Sequence, residues 1–174
     1  MSRRLAMILV AACLHGVVVA RGEGDEVPWE AFRPLVGRWS GEGSGFGNIS
    51  DVVHEWEFVI QGRFLRLQTR SVPHGDGALV HEDVGFLSHD ADRGAYAFRQ
   101  FLSEGFVNTF DVFAENGETA GFLFEARESE GAGGMRVRMR LRFLSDAEYE
   151  MVLELAMPDE DFVACQRMEM KKAG

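Results

Sequence analysis

The chain has 174 residues, 46% of them hydrophobic and 26% charged, proportions of one folded domain rather than of a disordered chain. A net charge of -10 argues against a nucleic-acid backbone or an anionic membrane surface as partner, since like charges repel. The basic side chains are almost all arginine, with Lys171 and Lys172 as the lysines.

At the N-terminus, Arg3 and Arg4 precede an apolar run over 5–20 that is broken by His15 and Gly16, and Arg21, Glu23, Asp25 and Glu26 follow. A basic start, a short apolar stretch and small residues at Val18 and Ala20 have the form of a secretory signal, so residues 1–20 are expected to be a signal peptide. The run is shorter than the roughly 20 residues a spanning helix needs. Val10-Ala11-Ala12-Cys13 has the form of a lipoprotein box, and Ser2-Arg3-Arg4 that of a twin-arginine start. Apolar residues after Cys13, and the lack of Phe and Lys after the arginines, favour the ordinary signal. The expected location is periplasmic or extracellular, with no membrane span after the signal is removed. Cys165 is then the one cysteine left, which cannot close an intrachain disulfide.

Residues 21–33 read as a lead-in, with one or two helical turns expected over 28–35. Beyond them the chain has no helical period. It shows short stretches of period-2 alternation separated by turn residues, the pattern of half-buried strands. Strands are expected from residue 36 and over 51–60, 63–72, 79–88, 95–104, 106–114, 119–128, 135–143, 148–157 and 161–171. About ten strands at this spacing predict an all-β fold, a single antiparallel up-and-down barrel over 34–172.

The clearest alternation is 135–143, where Met135, Val137, Met139, Leu141 and Phe143 alternate with Arg136, Arg138, Arg140 and Arg142. The next strand carries Tyr149, Met151, Leu153 and Leu155 on one face and Glu150 and Glu154 on the other. Folding over 145–147 sets Arg142 opposite Glu150 and Arg138 opposite Glu154, so the arginine stripe reads as a neutralised outer face.

The first strand, Gly37-Arg38-Trp39-Ser40-Gly41-Glu42-Gly43-Ser44-Gly45-Phe46-Gly47, has glycine at every odd position except Trp39. Such a strip permits sharp bending, close approach of another strand, or close approach of a flat ligand. This segment resembles the opening Gly-x-Trp strand of the calycin barrels, lipocalins and fatty-acid-binding proteins among them. With Pro34-Leu35-Val36 before it, the segment is similar to that of nitrobindins and related bacterial families of unassigned function. Residues 81–90 and 99–108 are similar to a central strand and the following hairpin of those families. The resemblance implies a ten-stranded barrel around an apolar cavity, with Trp39 packed on Arg167 of the last strand. Nitrobindins hold ferric haem through a histidine near the C-terminal end of the barrel. This chain has no histidine over 149–171, which leaves Tyr149, Met151, Met157, Cys165, Met168 and Met170 as the donor types there.

Several side chains are expected to face a ligand. His54 shares a face with Trp56, and His81 lies in a motif of the resemblance. Glu82 is expected inward with Val80, Val84 and Phe86, where burial would make it an acid–base candidate. Phe98, Phe110, Met139 and Met151 supply apolar lining, and Gln100 and Asn108 polar anchors. No nucleophile motif, phosphate loop or zinc spacing is present. The leading expectation is an exported, non-enzymatic barrel that binds a hydrophobic small molecule in its interior. The alternatives are a nitrobindin-like haem protein with a non-standard axial ligand, to which the resemblance attaches peroxynitrite isomerisation, and a lipocalin-like enzyme using Glu82 or His54. A barrel with a filled core stands beside these.

Overall fold

The computed structural model of the chain describes residues 29–75, 80–115 and 120–174. The expected signal peptide lies outside the described residues. Ten strands follow one 3-10 turn, Glu30–Leu35: β1 Gly37–Gly45, β2 Asn48–Val59, β3 Phe64–Pro73, β4 His81–Asp90, β5 Ala95–Leu102, β6 Val107–Glu115, β7 Gly121–Glu130, β8 Arg136–Ser145, β9 Glu148–Ala156 and β10 Val163–Lys172. Each pairs antiparallel with its chain neighbours, and β1 pairs with β10, closing the barrel. Most boundaries fall within two residues of expectation. The exception is β2, which begins three residues early. Phe46 (φ 49) and Gly47 (φ 78) make a two-residue hairpin turn of the kind that matches strand twist.

Two of the odd-numbered glycines of β1, Gly41 and Gly45, serve the closure. A Cβ on Gly41 would lie 1.8 Å from the Glu169 carbonyl oxygen, and one on Gly45 would lie 2.4 Å from that of Cys165. The backbone of β10 therefore occupies the space that side chains on β1 would need.

The expected register of β8 and β9 holds, with Arg142 opposite Glu150, Arg138 opposite Glu154, Leu141 opposite Met151 and Met139 opposite Leu153. Arg138 Nε donates to Glu154 at 2.7 Å, and its guanidinium lies 4.1 Å from the centre of the Phe162 ring. Glu150, however, receives its hydrogen bond from Arg167 of β10 rather than from Arg142. That contact also corrects the expected Trp39–Arg167 pair. Register sets Trp39 opposite Lys172 and Arg167 opposite Ser44, five residues or roughly 17 Å along the strand. Lys172 Nζ takes the cationic place, 5.1 Å from the centre of the Trp39 ring.

One end of the barrel is plugged. The turn Glu30–Leu35 and the residue before it bury Trp29, Phe32 and Leu35 among the strands. Phe32 stacks on Phe122 with centroids 4.4 Å apart, and Trp29 packs on Phe58 and Tyr96. Trp29 Nε1 donates to Gly62 O at 2.8 Å, and Trp39 Nε1 donates to Leu35 O at 2.7 Å. Each side chain so buried contributes roughly 1.5–3 kcal/mol. Above the plug, Trp56, Phe98, Phe110, Phe124 and Tyr149 fill the closed half of the interior.

Gly41→Ala is expected to destabilise the barrel by about 2–3 kcal/mol through overpacking, lowering Tm by roughly 5–10 °C. Gly43→Ala should cost less, because the nearest atoms to its Cβ would be side-chain atoms of Val52, Met168 and Gln166 rather than backbone. Thermal melts of the two variants check this, and equal Tm values would refute the seating of β10 on β1.

Candidate functional site

The open half of the barrel encloses a cavity of about 360 Å³ with two unlike walls. Strands β8, β9 and β10 contribute the apolar wall, chiefly Val137, Met139, Met151, Leu153, Leu155 and Met168. Strands β3 to β6 contribute Thr69, Ser71, His81, Asp83, Gln100 and Asn108, with Glu104 in the turn after β5. The pleat explains the polar wall: these positions alternate with outward ones, and register sets Thr69 opposite Asp83, Ser71 opposite His81 and Gln100 opposite Asn108.

His54 and Tyr149 lie between the cavity and the filled half. His54 Nδ1 and the Tyr149 hydroxyl share a 2.6 Å hydrogen bond. Burial drives the His54 pKa down to about 4 against the opposing charge of Asp83, so the ring is neutral at pH 7. Burial likewise pushes the Tyr149 phenol up. The Trp56 indole N–H has no well-aligned partner, although it acts on that hydroxyl and opposes part of the rise.

At the polar wall the balance is reversed. His81 Nε2–H donates to Asp83 Oδ2 at 3.2 Å and Nδ1–H donates to Glu104 Oε1 at 2.7 Å. The Asp83 hydrogen bond is the main cause that raises the His81 pKa to about 9; burial opposes it and Glu104 reinforces it. Burial alone would raise the Glu104 carboxyl, but its hydrogen bonds to His81 and to its own backbone hold it below the ordinary range. Asp83 is buried, and its Oδ1 has no hydrogen-bond partner.

Of the expected site residues, His54, His81, Gln100, Asn108, Met139 and Met151 line the cavity. Trp56, Phe98 and Phe110 face inward but belong to the filled half, packed on one another at 5.9–6.4 Å. Glu82 is the correction. It is exposed and pairs with Arg70 at 3.3 Å, because β4 turns its odd-numbered residues inward and presents Asp83 instead. His81 and Asp83, two apart on one strand, carried the signal for that face; Glu104, beyond the end of β5, carried none.

Haem, which the resemblance implies, is tested by the donors on the last strands. Cys165 sits at a register shift in β10, donates to Leu153 O at 3.3 Å and is not a cavity residue, and burial raises its thiol pKa. Tyr149 is engaged by His54. Met151 and Met168 line the cavity as part of its packed apolar wall. The histidine that nitrobindins use is thus absent from these strands, and of their donor types the cavity lining includes Met151 and Met168. Among the described residues no group of three or more His, Cys, Asp or Glu is placed to hold a metal ion.

No family model matches the chain, and no curated protein matches it in sequence. Solved structures do. The crystal structure of Rv2717c from M. tuberculosis is similar at a TM-score of 0.69 and 15% identity, over 86% of this chain and 100% of that one. The S-type phycobiliprotein lyase CPES from Guillardia theta is similar at a TM-score of 0.54 and 11% identity, over 87% of this chain and 95% of that one. These likenesses establish the fold, a calycin-like barrel of ten antiparallel strands.

The two cavity histidines oppose each other in pH dependence. His54, at about 4 when folded and 6.5 otherwise, contributes stability that is complete above pH 6.5 and lost as pH falls towards 4. His81, at about 9 when folded, contributes stability that is complete below pH 6.5 and lost as pH rises through 9. Urea midpoints between pH 4 and 9 should therefore peak near 6.5. His54→Gln should flatten the acid limb, of order 3 kcal/mol, and His81→Gln the alkaline one. Limbs unchanged in these variants would refute the assignment.

Proposed function

We propose that the protein is an exported barrel that binds a hydrophobic small molecule in the open half of its interior, without catalysing a reaction on it. The observation that carries this reading is the two-walled cavity, whose volume lies within the roughly 300–1,000 Å³ of small-molecule sites. An apolar wall rich in methionine adapts to a hydrocarbon body, and a few convergent polar groups orient one end of it. Export rests on the pattern of residues 1–20, and a mature chain beginning at Arg21 is its check. The acid–base alternative keeps only His54, since Glu82 stands outside the cavity.

Titration with Nile red, a neutral apolar fluorophore, tests the reading. Saturable one-to-one binding is expected, weakened at least tenfold by Leu153→Trp, which fills the cavity from its apolar wall, with the melting transition retained. Absence of binding by Nile red, together with a native mass spectrum free of any bound molecule, would refute it. A parallel hemin titration is expected to give no ligated Soret band. A stoichiometric shifted band lost in His54→Ala would instead put iron on that side chain and restore the haem reading.

A further inference from the structure

We propose that the cavity selects an amphiphile with an amine head, its N–H groups held by the Asp83 carboxylate and its hydrocarbon laid on the wall of β8 to β10. This rests on the reading of the cavity as a binding site and names the class of ligand that site takes.

The first observation is the state of Asp83. Its side chain is only 4% exposed and lines the cavity, and one carboxylate oxygen is bonded to His81 while Oδ1 has no partner. A buried acceptor without a donor is costly, and native structures supply one from protein, water or ligand. The second observation is the balance of charge. Among the described residues, those lining the cavity include no Arg or Lys. His54 is neutral, and the single imidazolium of His81 lies between two carboxylates, Asp83 and Glu104. The polar wall therefore carries one negative charge in excess. A carboxylate head would meet no unpaired cation there, and a neutral hydroxyl would leave the excess charge as it is. An ammonium head, charged at pH 7 like a lysine side chain, offsets the charge and brings donors to the carboxylate. The apolar wall opposite leaves the hydrocarbon in contact with methionine and leucine rather than with water.

The test holds the tail constant and changes the head: decylamine, decanol and decanoate, each measured by displacement of Nile red and by isothermal titration at pH 7. Decylamine is expected to bind at least tenfold more tightly than decanol, and decanoate more weakly than either. Asp83→Asn should bring decylamine to within about threefold of decanol while leaving decanol unchanged. If that variant does not fold, Glu104→Gln is expected to reduce the preference for the amine several-fold, and the wild-type order still decides. Decanol or decanoate binding as tightly as decylamine, or an amine preference untouched in Asp83→Asn, would overturn the assignment while leaving a binding protein. Failure of all three ligands and of Nile red would overturn the binding reading itself.

Discussion

Closure of the sheet between β1 and β10 is the constraint on which the rest of the molecule depends. A ten-stranded sheet left open would present two unpaired edges, and closure removes both. The glycines of β1 let the backbone of β10 approach where side chains would hold it away. The same pairing brings residues 34–39 and 172–173 together at the plugged rim. Lys172 lies over Trp39 and donates to Pro34 O, and Ala173 N–H donates to Arg38 O at 2.8 Å. Trp39 in turn donates to Leu35 O, so the plugging turn, the first strand and the last strand form one joint.

That joint makes the two ends of the barrel unlike. Beside it, inward positions are aromatic and interlock: Phe32 with Phe122, Trp39 with Tyr149, Trp56 with Phe98. Towards the other end the inward positions of β3 to β6 become Thr69, Asp83, Gln100 and Asn108, which are buried yet too short or too polar to interlock across the barrel. A ten-stranded barrel is wide enough that such a layer encloses space instead of collapsing. Filled core and cavity, which stood as alternatives in the sequence, are the two halves of one interior.

The strands were legible because one face of each is buried, which stamps a period of two on the chain, and the cross-strand pairs of β8 and β9 followed from that period and a short turn. Legibility stopped where geometry broke the period. The turn at Phe46 puts a non-glycine residue at positive φ, for which an aromatic side chain gives no cue. In β4 the inward face was misread because Val84 and Phe86 are apolar and half-buried, while the inward position between them is Gly85. The space a side chain would take at Gly85 is filled by the ring of Phe98 from β5, whose Cζ would lie 2.0 Å from an added Cβ. An empty position in the sequence is a filled one in the barrel, and no reading of β4 alone reveals it. The cation over Trp39 failed for a related reason: it depends on the offset between strands at opposite ends of the chain.

The polar wall runs against stability. A carboxylate oxygen buried without a donor costs roughly 1–3 kcal/mol, and an unfilled cavity forfeits dispersion contacts that apolar side chains at the same positions would make. At Gly85 the barrel does the opposite, setting a phenyl ring over a glycine. The Asp83 share of that cost lies in the open half, on the side lined by β3 to β6. A molecule that supplies the missing donor and occupies the space binds only the folded state, and so returns stability by mass action in proportion to its concentration over Kd. On the proposed reading, the barrel would be most stable when occupied, and its preference for one occupant over another would be set by the polar wall, because the apolar wall suits any hydrocarbon of fitting size.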